Sequence, residues 1–180
     1  YREFFKFIMK NKTILLSGDK SISHRALMIS SISKGVNRIT NLCNGRDVDS
    51  TIGCLRLCGA KIERRAKSCV INTSRLSKPV EPLDCGNSGT TIRLLSGLLA
   101  GQGIVATLYG DDSLMNRPMD RIVEPLIKMG AKIESRDNKI IIKSASIKGG
   151  DIDNNTSSAQ VKSSIIFAGL GAKHKTILNE

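Results

Sequence analysis

Gly18-Asp19-Lys20-Ser21-Ile22-Ser23-His24-Arg25 follows a short apolar run, Thr13-Ile14-Leu15-Leu16, and opens a helical pattern over residues 25–32. A strand–turn–helix junction of this kind leaves free backbone N–H groups at a helix start, where they favour an anion. Ser21 and Ser23 add hydroxyl donors, and Lys20 and Arg25 add two positive charges. Such groups suit a phosphate or carboxylate. The plainer role for the same residues is a helix cap: Ser21 satisfies the first turn and both cations stay in solvent. Taken alone, the octapeptide favours the cap.

The rest of the chain reverses that preference, because the pattern recurs. The first helix uses Ile22, Leu27, Ile29 and Ile32 as an apolar face and ends at Gly35. A strand over 36–42 follows. A second helix starts at Asp47-Val48-Asp49-Ser50, with acid suited to its positive end, and closes at Gly59. Residues 61–65 and 69–73 then pair around Ala66-Lys67-Ser68. The same order returns: a helix from Asn87-Ser88-Gly89-Thr90, a strand over 104–109, and a helix with Pro118 in its first turn. Met119, Ile122, Leu126 and Met129 give that helix its face, with Pro125 bending it. A hairpin over 132–135 and 139–143 completes the unit. Gly59-Ala60-Lys61-Ile62-Glu63 and Gly130-Ala131-Lys132-Ile133-Glu134 repeat each other. A third unit opens at Ser157-Ser158-Ala159-Gln160, with Val161, Ile165, Ile166 and Leu170 on its helix and a strand over 176–178. The expected fold class is α/β in its α+β form, made of βαβαββ units, of which about two and a half are present. The equivalent helix starts are expected on one face.

Composition sets the outer bounds. The 180 residues suffice for one domain with a real core, and that core is aliphatic, since aromatics make up 3%. No apolar run approaches the roughly 20 residues that span a bilayer. Residues 1–9 are too short and too charged for a secretory signal. The five cysteines, Cys43, Cys54, Cys58, Cys69 and Cys85, are odd in number and lack C-x-x-C spacing. They read as small hydrophobes in a reducing cytoplasm, not as zinc ligands. Lys and Arg outnumber Asp and Glu by 28 to 16, for a formal charge of +12. That surplus suits anionic partners. Trp is absent, Tyr occurs twice, and the basic residues are scattered. Small phosphorylated molecules therefore fit as well as nucleic acid does.

Three further polar turns join the first. Asp84-Cys85-Gly86-Asn87-Ser88-Gly89-Thr90-Thr91-Ile92-Arg93 is glycine-rich and opens a helix, allowing close backbone approach to an anion. Asp111 to Pro118 brings Arg117 to the edge of another helix, and Ser157-Ser158-Ala159-Gln160 opens the third unit. With Lys20-Ser21-Ile22-Ser23-His24-Arg25-Ala26, Arg117-Pro118-Met119 and Ser158-Ala159-Gln160-Val161-Lys162-Ser163, these turns resemble the 5-enolpyruvylshikimate-3-phosphate (EPSP) synthase family of enolpyruvyl transferases. The motifs stand in the family's order and spacing from about residue 12 onward. Ser17 departs from the family, which usually carries proline there.

The resemblance implies transfer of the enolpyruvyl group of phosphoenolpyruvate to the 5-hydroxyl of shikimate 3-phosphate. A tetrahedral intermediate forms and phosphate leaves, a step of the shikimate pathway to chorismate and the aromatic amino acids. It implies no metal or organic cofactor, a cytoplasmic enzyme, a monomer at full length, and neither nucleic acid nor membrane as partner. For shikimate 3-phosphate it implies Lys20, Ser21, Arg25, Ser158, Ala159 and Gln160; for phosphoenolpyruvate, Lys20, Asn87, Gly89, Thr90, Arg117 and Gln160. Arg93 is given a supporting role. Gly89 marks where an added methyl would crowd glyphosate, a phosphoenolpyruvate mimic. Residues 1–12 are expected to be an extension or part of another domain. Residues 13–180 are expected to form the first domain to be completed, cut short in its third unit. The acid–base carboxylates are expected in a second domain absent here, so Lys20 is the one catalytic group and acts electrostatically. The fragment alone is expected to be inactive. Two rivals remain: the sister enzyme acting on UDP-N-acetylglucosamine and a basic nucleic-acid-binding module. The first carries Lys-Asn where this chain has Lys20-Ser21, and a cysteine in the loop that here runs over 111–116 without one.

Overall fold

The computed structural model describes residues 17–73, 75–154 and 156–179; the strand expected at 13–16 and the segment 1–12 lie outside them. Helix α1 spans Lys20–Ile32, followed by β1 (Val36–Ile39), α2 (Arg46–Leu57), β2 (Lys61–Arg65) and β3 (Ser68–Asn72). Then come β4 (Leu83–Asp84), α3 (Gly89–Gly101), β5 (Ala106–Tyr109), a short α4 (Asp112–Met115) and α5 (Asp120–Lys128). Strands β6 (Lys132–Arg136), β7 (Lys139–Lys143) and β8 (Gly150–Asp153), helix α6 (Ala159–Gly169) and β9 (Thr176–Asn179) follow.

The sheets carry the repetition. The first sheet has the order β1-β3-β2, all antiparallel. In the second, β5-β7-β6 reproduces it and β4 adds in parallel to β5. The third is the parallel pair β8-β9, the counterpart of β4 beside β5. Each hairpin alternates so that one face enters the core: Ile62, Cys69 and Ile71 in the first, Ile133, Ile140 and Ile142 in the second.

Helix α3 is the centre of the molecule. Leu94, Leu95, Leu98 and Leu99 leave no surface in solvent, so it is apolar on every side. Helix α6 runs beside it in the same direction, because Gly97 faces Ser164 and Gly101 faces Ala168. A Cβ on Gly97 would stand 2.1 Å from the Ser164 carbonyl oxygen, and one on Gly101 2.8 Å from that of Ala168. Glycine is required here for backbone-to-backbone contact. The cysteines pack as hydrophobes: Cys54, Cys58, Cys69 and Cys85 are buried, and burial pushes the Cys58 thiol up to about 12.

Several expectations need correction. Helix α1 starts at Lys20, not near 25, and Asp19, not Ser21, caps it by accepting the Ile22 N–H at 2.7 Å. Ser21 lies exposed inside the first turn. The buried face of α1 is Ser23, His24, Leu27, Met28 and Ser31, while Ile22 and Ile29 face solvent. The polar groups on that face are satisfied where they lie: Ser23 and Ser31 donate to the Asp19 and Leu27 carbonyls four residues back, and His24 meets Thr51 of α2. In α6, Val161 and Ile165 are buried but Ile166 and Leu170 are exposed. Pro118 precedes α5 by two residues and does not occupy its first turn, whereas Pro125 does lie inside that helix. Strands β1 and β5 are shorter than expected; β4 and β8 stand where the βαβαββ unit calls for a strand before its first helix, though no residues were assigned to them, and α4 was not expected.

Candidate anion-binding site

Three helices begin at one corner. Gly18 leads into α1 where the chain passes Asn41: a Cβ there would lie 1.7 Å from the Asn41 carbonyl oxygen, so only glycine fits. Ser88 caps α3, accepting the Thr91 N–H, and Ser158 caps α6, accepting that of Val161. Asp19, Ser88 and Ser158 thus each satisfy one orphan donor, leaving further N–H groups of the first turns directed outward.

Side chains stitch the three starts together. Arg25 of α1 reaches α6, donating from Nη2 to Ser163 Oγ at 2.7 Å and to the Ala159 carbonyl at 3.4 Å. Its Nη1 donates to the Ser21 carbonyl at 3.0 Å. Gln160 bridges α6 to α3: Nε2 donates to Thr90 Oγ1 at 2.9 Å, and Oε1 accepts from Arg93 Nη1 at 2.6 Å. Arg117 Nη2 donates to Asn87 Oδ1 at 2.6 Å, and the Asn87 amide donates in turn to both oxygens of Asp111. Lys20 Nζ pairs with Asp47 at 2.9 Å. All ten sequence-nominated residues, Lys20, Ser21, Arg25, Asn87, Gly89, Thr90, Arg117, Ser158, Ala159 and Gln160, therefore lie around this corner.

The electrostatics favour an anion. The partners described for Arg25 and Arg93 are hydroxyl, amide and carbonyl oxygens, none of them charged. Burial first, and then the neighbouring Arg117 and Arg121, lower the Arg93 pKa. At Arg25 and Arg93 positive charge is held by uncharged partners, a state that an incoming dianion relieves. Asp111 is held low by its hydrogen bond from Asn87 and by the backbone N–H of Leu114. It serves to orient Asn87 and, through it, Arg117. Gly89 sits where a Cβ would come within 3.2 Å of both Arg117 Nη1 and Arg93 Nη1. A methyl there would push the two guanidinium groups back by a few tenths of an ångström.

The pattern of the chain as a whole matches the family model described as EPSP synthase (3-phosphoshikimate 1-carboxyvinyltransferase) over residues 10–180. This chain belongs to the EPSP synthase family. A 3-phosphoshikimate 1-carboxyvinyltransferase of Alkaliphilus metalliredigens is 51% identical over 170 residues, covering 91% of this chain and 40% of the relative. One of Vesicomyosocius okutanii is 46% identical over 171 residues, covering 92% of this chain and 39% of the relative. The solved structure of EPSP synthase from Acinetobacter baumannii superposes with a TM-score of 0.87 at 38% identity, over 93% of this chain and 40% of that one. The chain thus spans about two fifths of the length of these relatives. The match to EPSP synthase agrees with the mixed helix-and-sheet fold and favours neither of the two rival readings.

Two residues of the corner escaped the sequence reading. Asp47 and Asp111 were read as helix-start or turn residues, yet they hold Lys20 and Asn87. No local signal separates a capping aspartate from one that also orients a cation; the distance between residues 20 and 47 is set only by folding. A cleft of about 740 Å³ between α2 and β4–β5, lined by Cys54, Leu57, Pro82 and Tyr109, contains none of the nominated residues.

Proposed function

We propose that this chain supplies the shikimate 3-phosphate side, and much of the phosphoenolpyruvate side, of an enolpyruvyl transfer site. The observation that carries the reading is the convergence of three helix N-termini with Arg25, Arg93 and Arg117, described without carboxylate partners for the first two. Both substrates are multiply anionic, and their reaction redistributes negative charge as the 5-hydroxyl attacks C2 of phosphoenolpyruvate and phosphate departs. Fixed donors and cations assembled beforehand lower the cost of that redistribution. Ser21, Arg25, Ser158, Ala159 and Gln160 hold shikimate 3-phosphate. Asn87, Gly89, Thr90, Arg117 and Gln160 face phosphoenolpyruvate. Lys20 stands between the two and stabilises charge electrostatically. Acid–base groups come from a second domain that closes over this corner, in a monomeric cytoplasmic enzyme that needs no cofactor. The chain by itself binds shikimate 3-phosphate but does not turn over.

A graft tests this: residues 10–180 replace the matching segment of the Alkaliphilus metalliredigens relative, 51% identical here. Phosphate release that needs both substrates is expected from the graft and not from the isolated chain. Arg25→Ala in the graft is expected to raise the KM for shikimate 3-phosphate at least about tenfold, the scale of a lost charge-assisted hydrogen bond. A folded graft without phosphate release would sink the reading, and turnover by the isolated chain would overturn the need for a second domain.

A further inference from the structure

Beneath the corner lies a buried polar chain that the proposed reaction does not use. His24 of α1, Thr51 of α2 and Thr91 of α3 are all completely buried. His24 Nδ1 lies 2.7 Å from Thr51 Oγ1, which lies 2.7 Å from Thr91 Oγ1. Thr91 Oγ1 reaches the Asp47 carbonyl at 3.2 Å and Ser88 Oγ, the cap of α3, at 2.8 Å. The Asp47 carboxylate holds Lys20, back on α1. His24 Nε2 is buried with no hydrogen-bond partner among the described residues.

Donor counting gives this chain a direction. Thr91 is the donor to both Ser88 Oγ and the Asp47 carbonyl, so its single proton is committed there and it must itself accept from Thr51. Thr51 has then spent its single proton and must accept from His24, which places the imidazole hydrogen on Nδ1. The orphaned Nε2 is left as a bare lone pair. In the opposite tautomer it would be a buried N–H without an acceptor, the rarer and costlier defect.

We propose that His24, Thr51 and Thr91 are positioning residues: a proton-ordered chain that locks α1, α2 and α3 in the register that sets Lys20 and the α3 N-terminus. The circuit leaves α1 at His24 and returns to it at Lys20, so sliding any of the three helices breaks at least one link. Side chains here are polar where apolar packing would bury the same surface, and a hydrogen-bond chain specifies register more sharply than interchangeable methyl groups do. Desolvation also holds the imidazole neutral, lowering its pKa from 6.5 to about 4, which suits a single fixed tautomer. The consequence for substrate affinity rests on the proposed function; the register itself does not.

The test uses the 180-residue chain with shikimate 3-phosphate as probe. Nitrogen-15 correlation spectra of the His24 ring are expected to show hydrogen on Nδ1; the Nε2–H form would overturn the ordering. Thr51→Val is expected to shift the Lys20 side-chain and Gly89 and Thr90 amide resonances together and to weaken binding about tenfold. Thr51→Ser is expected to restore both. Unmoved Lys20 and Thr90 resonances in Thr51→Val, or failure of Thr51→Ser to restore them, would refute the positioning role. Should Thr51→Val not fold, the wild-type tautomer and Thr51→Ser decide the matter. Absence of binding by the wild-type chain, with the tautomer and resonance shifts as expected, would count against the proposed function alone.

Discussion

Helices α3 and α6 begin at the same corner and run side by side, yet they are covered differently. Helix α3 has α1, α2, α5 and α6 around it, and its residues 94–100 are all buried. Helices α6 and α1 flank it, and each leaves an apolar face outside: Ile166 and Leu170, 51% and 58% exposed, on α6, and Ile22 and Ile29, 69% and 49% exposed, on α1. Arg25 joins these two flanks. Helix α2 packs against both α1 and α3, and α5 against both α3 and α6. Among the described residues no helix plays that part between α6 and α1. The difference teaches that burial in this fold is assigned by place in the cycle of helices, not by the hydrophobicity of each helix alone.

The comparison predicts a steep gradient from centre to flank. At the α3–α6 contact, Gly97→Leu is expected to abolish folding, because even a Cβ would stand 2.1 Å from the Ser164 carbonyl oxygen; circular dichroism would show the loss, and a native-like spectrum would break the close-packing account. Leu95→Ala, wholly inside α3, is expected to cost about 3 kcal/mol in urea unfolding, within the range for buried leucines. The inner face of α1 adds a pH dependence. The His24 pKa falls from 6.5 to about 4 on folding, so between those values the unfolded chain binds more protons. Stability is full above about pH 6.5 and declines as pH falls toward 4, by about 3 kcal/mol at most. His24→Asn should flatten that part of the profile; an unchanged slope would mean another group is responsible. On the outer face, Ile166→Ser with Leu170→Ser is expected to change stability by no more than about 0.5 kcal/mol while reducing self-association in sedimentation velocity. A loss of several kcal/mol would show that these flanks are covered after all.

Much of the fold was legible because its signals are local. Gly59 and Gly130 end helices at positive φ, and both hairpins follow them in register. The helix starts at Ser88 and Ser158 were legible from small capping residues. What misled was α1 and α6, where apolar residues stand on both sides. Ile22, Ile29, Ile166 and Leu170 satisfy a helical period as well as the true core positions do, so periodicity selected the wrong face. Pro118 fits a first turn by propensity, but α4 occupies the segment before it and moves the start of α5 to Asp120.

The ten residues nominated for anions follow from the resemblance of the motifs to a family; the sequence by itself determined the repeating order of elements, the aliphatic core and the four polar turns. Each depends on a residue's own chemistry or on neighbours a few positions away. Tertiary structure alone decided which face of α1 is buried, that Asp47 holds Lys20 and Asp111 holds Asn87, and that His24, Thr51 and Thr91 form one chain. Those pairings join residues 24 to 40 positions apart. Nothing in local propensity encodes such a distance; it is set only when α1, α2 and α3 pack together.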